Sequence, residues 1–329
     1  GALALVVREA GRAAERVAPP PAPPRESHTP ESVLQLLPLD PLEIELGYGL
    51  LSLADPERGG DLMDRVGLVR RQVALELGFV VPLVRVRDNM QLPPNKYVIK
   101  LRGAEVARGE IAPERLLALN PGAAAEEVPG IETADPVFGL PARWVAPEDR
   151  QRAELAGYTV VEPSAVLATH LTHVIRTHAH ELLGRQEVRQ LLDTVRQTHA
   201  ALVEELVPNL MTLGEVQKVL QGLLRERIPI RDLVTILETL ANYARSTKDP
   251  DLLTEYVRHA LFRLITAQYK DADGSLHVMT LSPHLEQVIS ESLVQTEQGT
   301  MARVELPVFV DGRVVAVLAH FLSRDNGVL

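Results

Sequence analysis

The sequence predicts an α+β protein made of several subdomains. At 329 residues the chain exceeds the ~100–200 residues of one compact domain. Strand and helix patterns alternate in its first third, whereas residues 185–268 carry leucine, valine and isoleucine at three- and four-residue spacing, which is typical of a helical bundle. Aromatic side chains make up only 4% of the residues, so aliphatic side chains must build the cores.

The composition excludes several classes of function. Lysine and arginine number 34 against 44 aspartates and glutamates, and the resulting net charge of −10 argues against nucleic acid as the partner. The chain has no cysteine, which excludes disulfides, thiolate nucleophiles and cysteine-based metal sites. No apolar run reaches the ~18 residues of a membrane span. Because the chain begins with glycine rather than methionine, we expect a part that precedes it.

Residues 1–40 are predicted to form a flexible linker. Six prolines lie between Pro19 and Pro30, and such a segment is extended, semi-rigid and without a core of its own. The apolar patch at 33–37 is too short to form a core. We therefore expect it to dock onto the body of the chain or onto a neighbour.

A small sheet with helices on one face is predicted next. Alternation of apolar and polar residues, or short apolar runs, predicts strands at 42–50, 83–87, 96–102 and 105–109. Asp61 is expected to cap a helix that runs to about residue 77, where Gly78 ends it. Gly103 allows the turn between the last two strands.

Residues 114–162 are rich in proline and glycine, which predicts a loop-rich insertion with one short helix near 148–156. Ser164 is then expected to cap a long helix that ends at Gly184. Beyond the helical bundle, the tail is predicted to contain a strand at 276–281, a helix from about Pro283, and a hairpin whose turn is Asp311-Gly312, between strands at 308–310 and 314–317.

The sequence contains no phosphate-binding, dinucleotide-binding, HExxH or GxSxG motif. Its chemically versatile side chains concentrate at His170, His173 and His178, and the first two share a helix face. A metal-dependent hydrolase is therefore an alternative. Histidines packed at a seam between a helix and a neighbouring domain are the favoured interpretation, because no carboxylate-rich segment accompanies them and Arg176 would repel a cation. We predict no catalytic residue, metal or cofactor.

A series of short motifs occurs in order between residues 41 and 290. They are PLEIELGY (41–48), VRDN (86–89), ALNPG (118–122), DPVFGLP (135–141), VLATHL (166–171), GRQ (184–186), KVLQ (218–221) and PIRD…TILETL (229–240). In these motifs the chain resembles the cytosolic C-terminal region of the FlhA (FHIPEP) family, the export gates of the bacterial flagellar type III export system.

The resemblance implies the cytosolic part of a multi-pass membrane protein, at the cytoplasmic face of the bacterial inner membrane. The linker 1–40 would join it to a missing N-terminal transmembrane region. Four subdomains are implied: an RNA-recognition-like α/β unit (41–113 plus 163–183), a small insertion (114–162), a helical unit (184–262) and a shortened C-terminal α/β unit (263–329). The likeness to RNA-recognition domains is one of fold only.

The resemblance also implies a non-enzymatic docking platform. In this family nine copies form a ring that receives flagellar export chaperones with bound substrates and passes cargo to the membrane channel. The export ATPase complex and neighbouring export gate proteins are the other implied partners. The export gate of a virulence-type type III secretion system, which shares the architecture, is the alternative; a scaffold left by gene truncation is a third.

The binding site follows from the same resemblance. The family's chaperone-docking hollow lies between the first two subdomains, where the aspartate and phenylalanine of DPxFGL fall on Asp135 and Phe138, and the threonine of ATHL falls on Thr169. The expected apolar lining comprises Leu119, Pro121, Leu140, Val161 and Val166. Judged from the residues alone, Phe138 would be a core aromatic and Asp135 a turn cap before Pro136.

Overall fold

The structure, a computed structural model, describes residues 39–122, 126–276, 282–291, 293–296, 299–302, 308–310 and 313–315. The predicted linker, except for its last two residues, lies outside the described residues, and so does its apolar patch at 33–37. The same holds for most of the strand predicted at 276–281 and for the turn Asp311-Gly312. The description below covers the unit that starts at Asp40.

The first sheet forms from the predicted strands. It contains β1 (Leu42–Leu46), β2 (Val84–Asp88), β3 (Lys96–Leu101) and β4 (Ala104–Glu110), in the order β2-β1-β3-β4. Strands β1 and β2 are parallel, whereas the β1–β3 and β3–β4 pairs are antiparallel. The apolar side chains of β1 are fully buried and the glutamates between them are partly exposed, as the period-two pattern predicts.

Strand β1 is shorter than predicted. The alternation continues to Leu50, but the strand ends at Leu46 and residues Tyr48–Leu50 form a 3-10 turn, followed by the short helix α1 (Leu51–Ala54). Gly47 explains the difference. A Cβ atom placed there would lie 2.2 Å from the carbonyl oxygen of Pro93, so the chain passes this backbone too closely to continue as a strand with side chains.

Helix α2 (Leu62–Leu77) is confirmed, and it ends at Gly78, whose φ of 90° is the left-handed conformation of a helix stop. The predicted capping role of Asp61 is wrong. Its carboxylate accepts a hydrogen bond from Arg65 Nε at 2.6 Å and another from Ser164, rather than one from the backbone of its own helix. Burial opposes ionisation of Asp61, but these two hydrogen bonds hold the pKa of its carboxyl group below its usual value.

The insertion is more ordered than predicted. It holds a second sheet, β6-β7-β5-β8, formed by β5 (Leu116–Leu119), β6 (Ile131–Ala134), β7 (Pro141–Val145) and β8 (Thr159–Val161), with helix α3 (Arg150–Leu155) beside it. All of its strand pairs are antiparallel. The glycines and prolines lie mainly in its turns, and the sheet has a small core of its own that includes Ala118, Val145 and Tyr158.

The long helix predicted from Ser164 to Gly184 is divided in two. Helix α4 (Pro163–Thr177) begins with a proline at its first position, and the short α5 (Ala179–Leu182) follows after His178. Ser164 does not cap its helix, because α4 already begins at Pro163 and Glu162 occupies the N-cap position. Helices α2 and α4 pack against each other.

The helical bundle predicted for residues 185–268 is confirmed. Its helices are α6 (Arg185–Arg196), α7 (Ala200–Glu204), α8 (Leu213–Arg225), α9 (Leu233–Tyr243), α10 (Pro250–Ala260) and α11 (Phe262–Tyr269). The bundle shares one continuous hydrophobic core with the first sheet and its helices. At the seam between them, the backbone N–H of Ile230 donates to the carbonyl oxygen of Leu77 at 2.8 Å.

The tail contains helix α12 (Pro283–Glu291), as predicted. It is followed by the antiparallel pairs β9 (Leu293–Thr296) with β10 (Gly299–Ala302), and β11 (Val308–Val310) with β12 (Arg313–Val315). The second pair confirms the predicted hairpin strands. None of the helices within the described residues is long and apolar enough to cross a membrane.

Two glycines of the α2 region are expected to respond in opposite ways to alanine. Gly78→Ala should lower the free energy of unfolding by about 1–3 kcal/mol, because it forces a positive φ on alanine. The new Cβ would also lie 2.5 Å from the backbone nitrogen of Arg231. Gly67→Ala, inside the helix with open space around it, should raise that free energy by about 0.5–1 kcal/mol. Urea unfolding followed by circular dichroism measures both. A Gly78→Ala variant as stable as the unmodified chain would contradict the close approach of Gly78 to the backbone of Arg231.

Candidate functional site

The loop between β6 and β7 is closed by its own aspartate. Asp135 Oδ2 accepts hydrogen bonds from the backbone N–H groups of Phe138 at 2.6 Å and Val137 at 3.2 Å. The backbone N–H of Asp135 donates to the carbonyl oxygen of Leu140, and that of Gly139 donates to the carbonyl oxygen of Asp135. Asp135 is therefore a buried turn cap whose carboxylate fixes the backbone that carries Phe138.

Phe138 projects outward from this closed loop. Its side chain is 66% exposed, so the alternative of a core aromatic is wrong. The ring makes an edge-to-face contact with the imidazole of His173 on helix α4, with centroids 5.9 Å apart and planes at 79°. The loop thus holds a large apolar ring against the outside of a helix while leaving most of that ring in water.

Thr169 lies on the same side of α4 as His173, because residues four apart share a helix face. Its side chain is exposed, and its hydroxyl donates to the carbonyl oxygen of Ala165 at 2.9 Å. The structure therefore brings Phe138 and Thr169 to one seam between the insertion and helix α4. Sequence reasoning missed His173 as the contact of Phe138, although its position one turn after Thr169 was visible.

The expected apolar lining is only partly exposed. Leu140 and Pro121 are exposed, and Leu119 and Val161 are half-buried, so these four can contribute to a binding surface. Val166 is 3% exposed and belongs to the core, because the period of α4 turns it toward the sheet. Its assignment to the lining is wrong.

A buried pair lies beneath this seam. The hydroxyl of Tyr97, on β3, is 2.7 Å from Nδ1 of His170, on α4. Burial lowers the pKa of His170, and the nearby His173 lowers it further against the opposing charge of Asp135. Burial, with a contribution from Asp135, raises the pKa of Tyr97. The imidazole is therefore neutral at pH 7 and can accept the hydroxyl proton of Tyr97 in a hydrogen bond.

The three candidate metal ligands have separate partners. His170 contacts Tyr97 and His173 contacts Phe138, while His178 Nδ1 lies 2.7 Å from Glu181 Oε1. In the part of the chain that the structure describes, no three histidine, aspartate or glutamate side chains come close enough to hold a metal ion. The geometry therefore favours histidines packed at a seam.

Comparison with known proteins identifies the family. The model of the FHIPEP family matches residues 2–320. The chain belongs to the FHIPEP family. The resemblance inferred from the motifs is thereby confirmed.

Curated relatives of this FHIPEP-family chain include two flagellar biosynthesis proteins FlhA. That of Bacillus subtilis is 50% identical over 280 residues, covering 85% of this chain and 41% of the relative. That of Treponema pallidum is 50% identical over 306 residues, covering 88% of this chain and 43% of the relative. The chain thus spans about two fifths of the length of these relatives.

Solved structures share the fold. The CdsV protein of Chlamydia pneumoniae superposes with a TM-score of 0.70 at 29% identity, covering 82% of this chain and 78% of CdsV. The nonameric EscV cytosolic domain from a type III secretion system superposes with a TM-score of 0.61 at 25% identity. The match covers 79% of this chain and 75% of the EscV domain. These matches confirm the predicted α+β fold class.

The buried histidine should make stability depend on pH. An unfolded histidine has a pKa of about 6.5, and the folded value for His170 is lower. The unfolded chain therefore binds more protons between these two values, so the free energy of unfolding falls as pH drops below about 6.5. His170→Gln should reduce this dependence between pH 7 and pH 5 in urea unfolding.

The dependence should be reduced rather than abolished, because burial and the nearby Arg225 also lower the pKa of His180. His199→Gln, at an exposed histidine, is the matched control and should keep the full dependence. Equal slopes for His170→Gln and the unmodified chain would show that His170 is not the group responsible.

Proposed function

We propose that this FHIPEP-family chain is a cytosolic docking platform of a bacterial flagellar export gate, which binds export chaperones with bound substrates at the seam between the insertion and helix α4. The exposed ring of Phe138 carries this proposal. A large aromatic side chain left mainly in water, on a loop fixed by a buried carboxylate, is a preorganised anchor for a protein partner.

The seam suits a helix of a partner lying against an apolar surface. Phe138, Leu140 and Pro121 supply exposed apolar contacts, and burying one large partner side chain among them would contribute ~1.5–3 kcal/mol. The hydroxyl oxygen of Thr169 can still accept a hydrogen bond from a partner, and this bond would orient the partner. Such docking makes and breaks no covalent bond, so the proposed role is not enzymatic.

The relatives support the flagellar branch over a virulence-type secretion system. The FlhA proteins of the flagellar system are 50% identical to this chain, whereas the EscV domain of a type III secretion system is 25% identical. The flagellar role is accordingly the one we propose for the protein that contains this chain.

The assembly forms part of the same proposal. The nonameric EscV domain supports a homo-oligomeric ring, for which we propose nine copies. The solved complex of CdsV with CdsO, at 29% identity, supports binding of a further partner. We also propose contacts with the export ATPase complex and with neighbouring gate proteins. A transmembrane region in the longer protein would hold the ring at the cytoplasmic face of the inner membrane.

The division into a linker at 1–40 and four subdomains is likewise proposed. The separate sheet and core of the insertion support the boundaries at 114 and 162. The main core joins the first sheet and the bundle, and it also includes Leu117, Ala142 and Trp144 of the insertion.

Phe138→Ala should weaken binding of a host flagellar chaperone–substrate complex by about 30-fold or more, the effect of losing an interface anchor worth about 2 kcal/mol. The melting temperature should change little, because the ring is mainly exposed. Isothermal titration calorimetry and thermal unfolding measure the two quantities. Asp135 is unsuited to this test, since replacing its buried carboxylate would also release the loop.

Leu155→Ala is the matched control. Leu155 lies on α3 of the same insertion and is 82% exposed, so its loss should leave binding intact. Undiminished binding by Phe138→Ala would rule out the proposed site. Equal loss in both variants would place the contact elsewhere on the insertion.

A further inference from the structure

A cavity of about 520 Å³ opens where four parts of the chain meet. Its walls come from the end of α2, from α4, from the loop between α8 and α9, and from α11. The lining residues are Glu76, Leu77, Arg176, Arg227, Pro229, Leu264, Ala267 and Gln268. The volume is within the usual ~300–1,000 Å³ of small-molecule sites.

Arg176 supplies one incompletely paired cation to this cavity. Its Nη2 lies 2.6 Å from Glu76 Oε2, which makes an ion pair. Its Nε is buried and has no hydrogen-bond partner among the described residues. A buried N–H without an acceptor is costly, and an anion in the cavity could supply one.

Arg227 supplies a second cation in an unusual backbone conformation. Its φ is +60°, which is strained for a residue other than glycine. Its carbonyl oxygen accepts a hydrogen bond from Gln268 Nε2 at 3.3 Å, which links this loop to α11. The guanidinium is exposed and has no ion-pair or hydrogen-bond partner within the described residues. Strain of this kind concentrates at functional positions.

The charged and apolar side chains that line the cavity together indicate the kind of ligand that fits it. Two arginines and one glutamate leave a net charge of about +1, which matches a single carboxylate better than a phosphate dianion. The guanidinium fork suits the planar geometry of a carboxylate. Leu77, Pro229 and Leu264 offer apolar surface beside it.

We propose that this cavity binds a carboxylate carried on a short apolar body, held by Arg176 and Arg227. The source is either a small free acid or the C-terminal aliphatic residue of a polypeptide. The site does not depend on the proposed docking seam. It does lie on the same side of α4, because Arg176 follows Thr169 by seven residues, which is two helical turns or about 10 Å. A ligand there would link α2 and α4 to α11, the last helix of the bundle.

The test is a titration of the full chain with N-acetyl-L-leucine, followed by two-dimensional NMR. We expect saturable binding with a dissociation constant of about 1–10 mM, as for a small ligand that carries one charged group. N-acetyl-L-leucinamide has the same shape without the charge and should bind at least about 10-fold more weakly. No saturation by the acid, or equal binding of the amide, would overturn the proposal.

Arg227→Gly provides a variant whose loss of binding cannot be attributed to unfolding. Glycine accepts the positive φ, so the melting temperature should stay the same or rise. Binding of N-acetyl-L-leucine should fall at least about 10-fold, whereas Arg71→Gln, at an exposed arginine of α2 outside the cavity, should leave it unchanged. Unchanged binding by Arg227→Gly would overturn the proposal.

A pentapeptide that ends in leucine with a free carboxylate distinguishes the two sources. Affinity at least about 10-fold higher than that of N-acetyl-L-leucine would support the end of a polypeptide, because additional residues would then make contacts. Equal affinity would support a small free acid. Failure of this site would leave the Phe138 test untouched, since the two use different residues.

Discussion

The rest of the structure depends on the burial of one side of helix α4. Its apolar residues and His170 face the core shared by the first sheet and the bundle, where His170 is hydrogen-bonded to Tyr97. Once that side is fixed, the opposite side must face outward. Thr169, His173 and Arg176 therefore stand in a row at the surface, and both candidate binding sites use this row.

The sequence predicted those features of the fold that local chemistry determines. Helix α2 ends at Gly78 because the chain needs a left-handed residue there, and the strands of the first sheet follow their alternation. It failed where a distant segment decides the outcome. Strand β1 stops early where Gly47 passes close to the backbone of Pro93, about 46 residues further along the chain. The insertion was misjudged because its strands are only three to five residues long and its turns dominate its composition.

The motifs predicted where the candidate site lies but not which of its side chains are exposed. Residue type favours burial for a phenylalanine and exposure for an aspartate, and here both preferences are reversed: Phe138 is mainly exposed and Asp135 is buried. The reversal is physically linked, since the carboxylate must turn inward to accept the N–H groups that hold the aromatic ring outward. The burial of Val166 likewise follows from the rotation of α4, which no short motif specifies.

The pKa shifts at this seam give Tyr97 and His170 a structural role. A general acid or base needs a pKa near the working pH and access to a substrate atom. Burial moves the pKa of Tyr97 upward and that of His170 downward, and the hydroxyl of Tyr97 and Nδ1 of His170 are hydrogen-bonded to each other. The carboxylate of Asp135 accepts a hydrogen bond from the backbone of its own loop. What remains exposed is the ring of Phe138, the hydroxyl of Thr169, part of the imidazole of His173 and aliphatic surface, which together can hold a partner by contact.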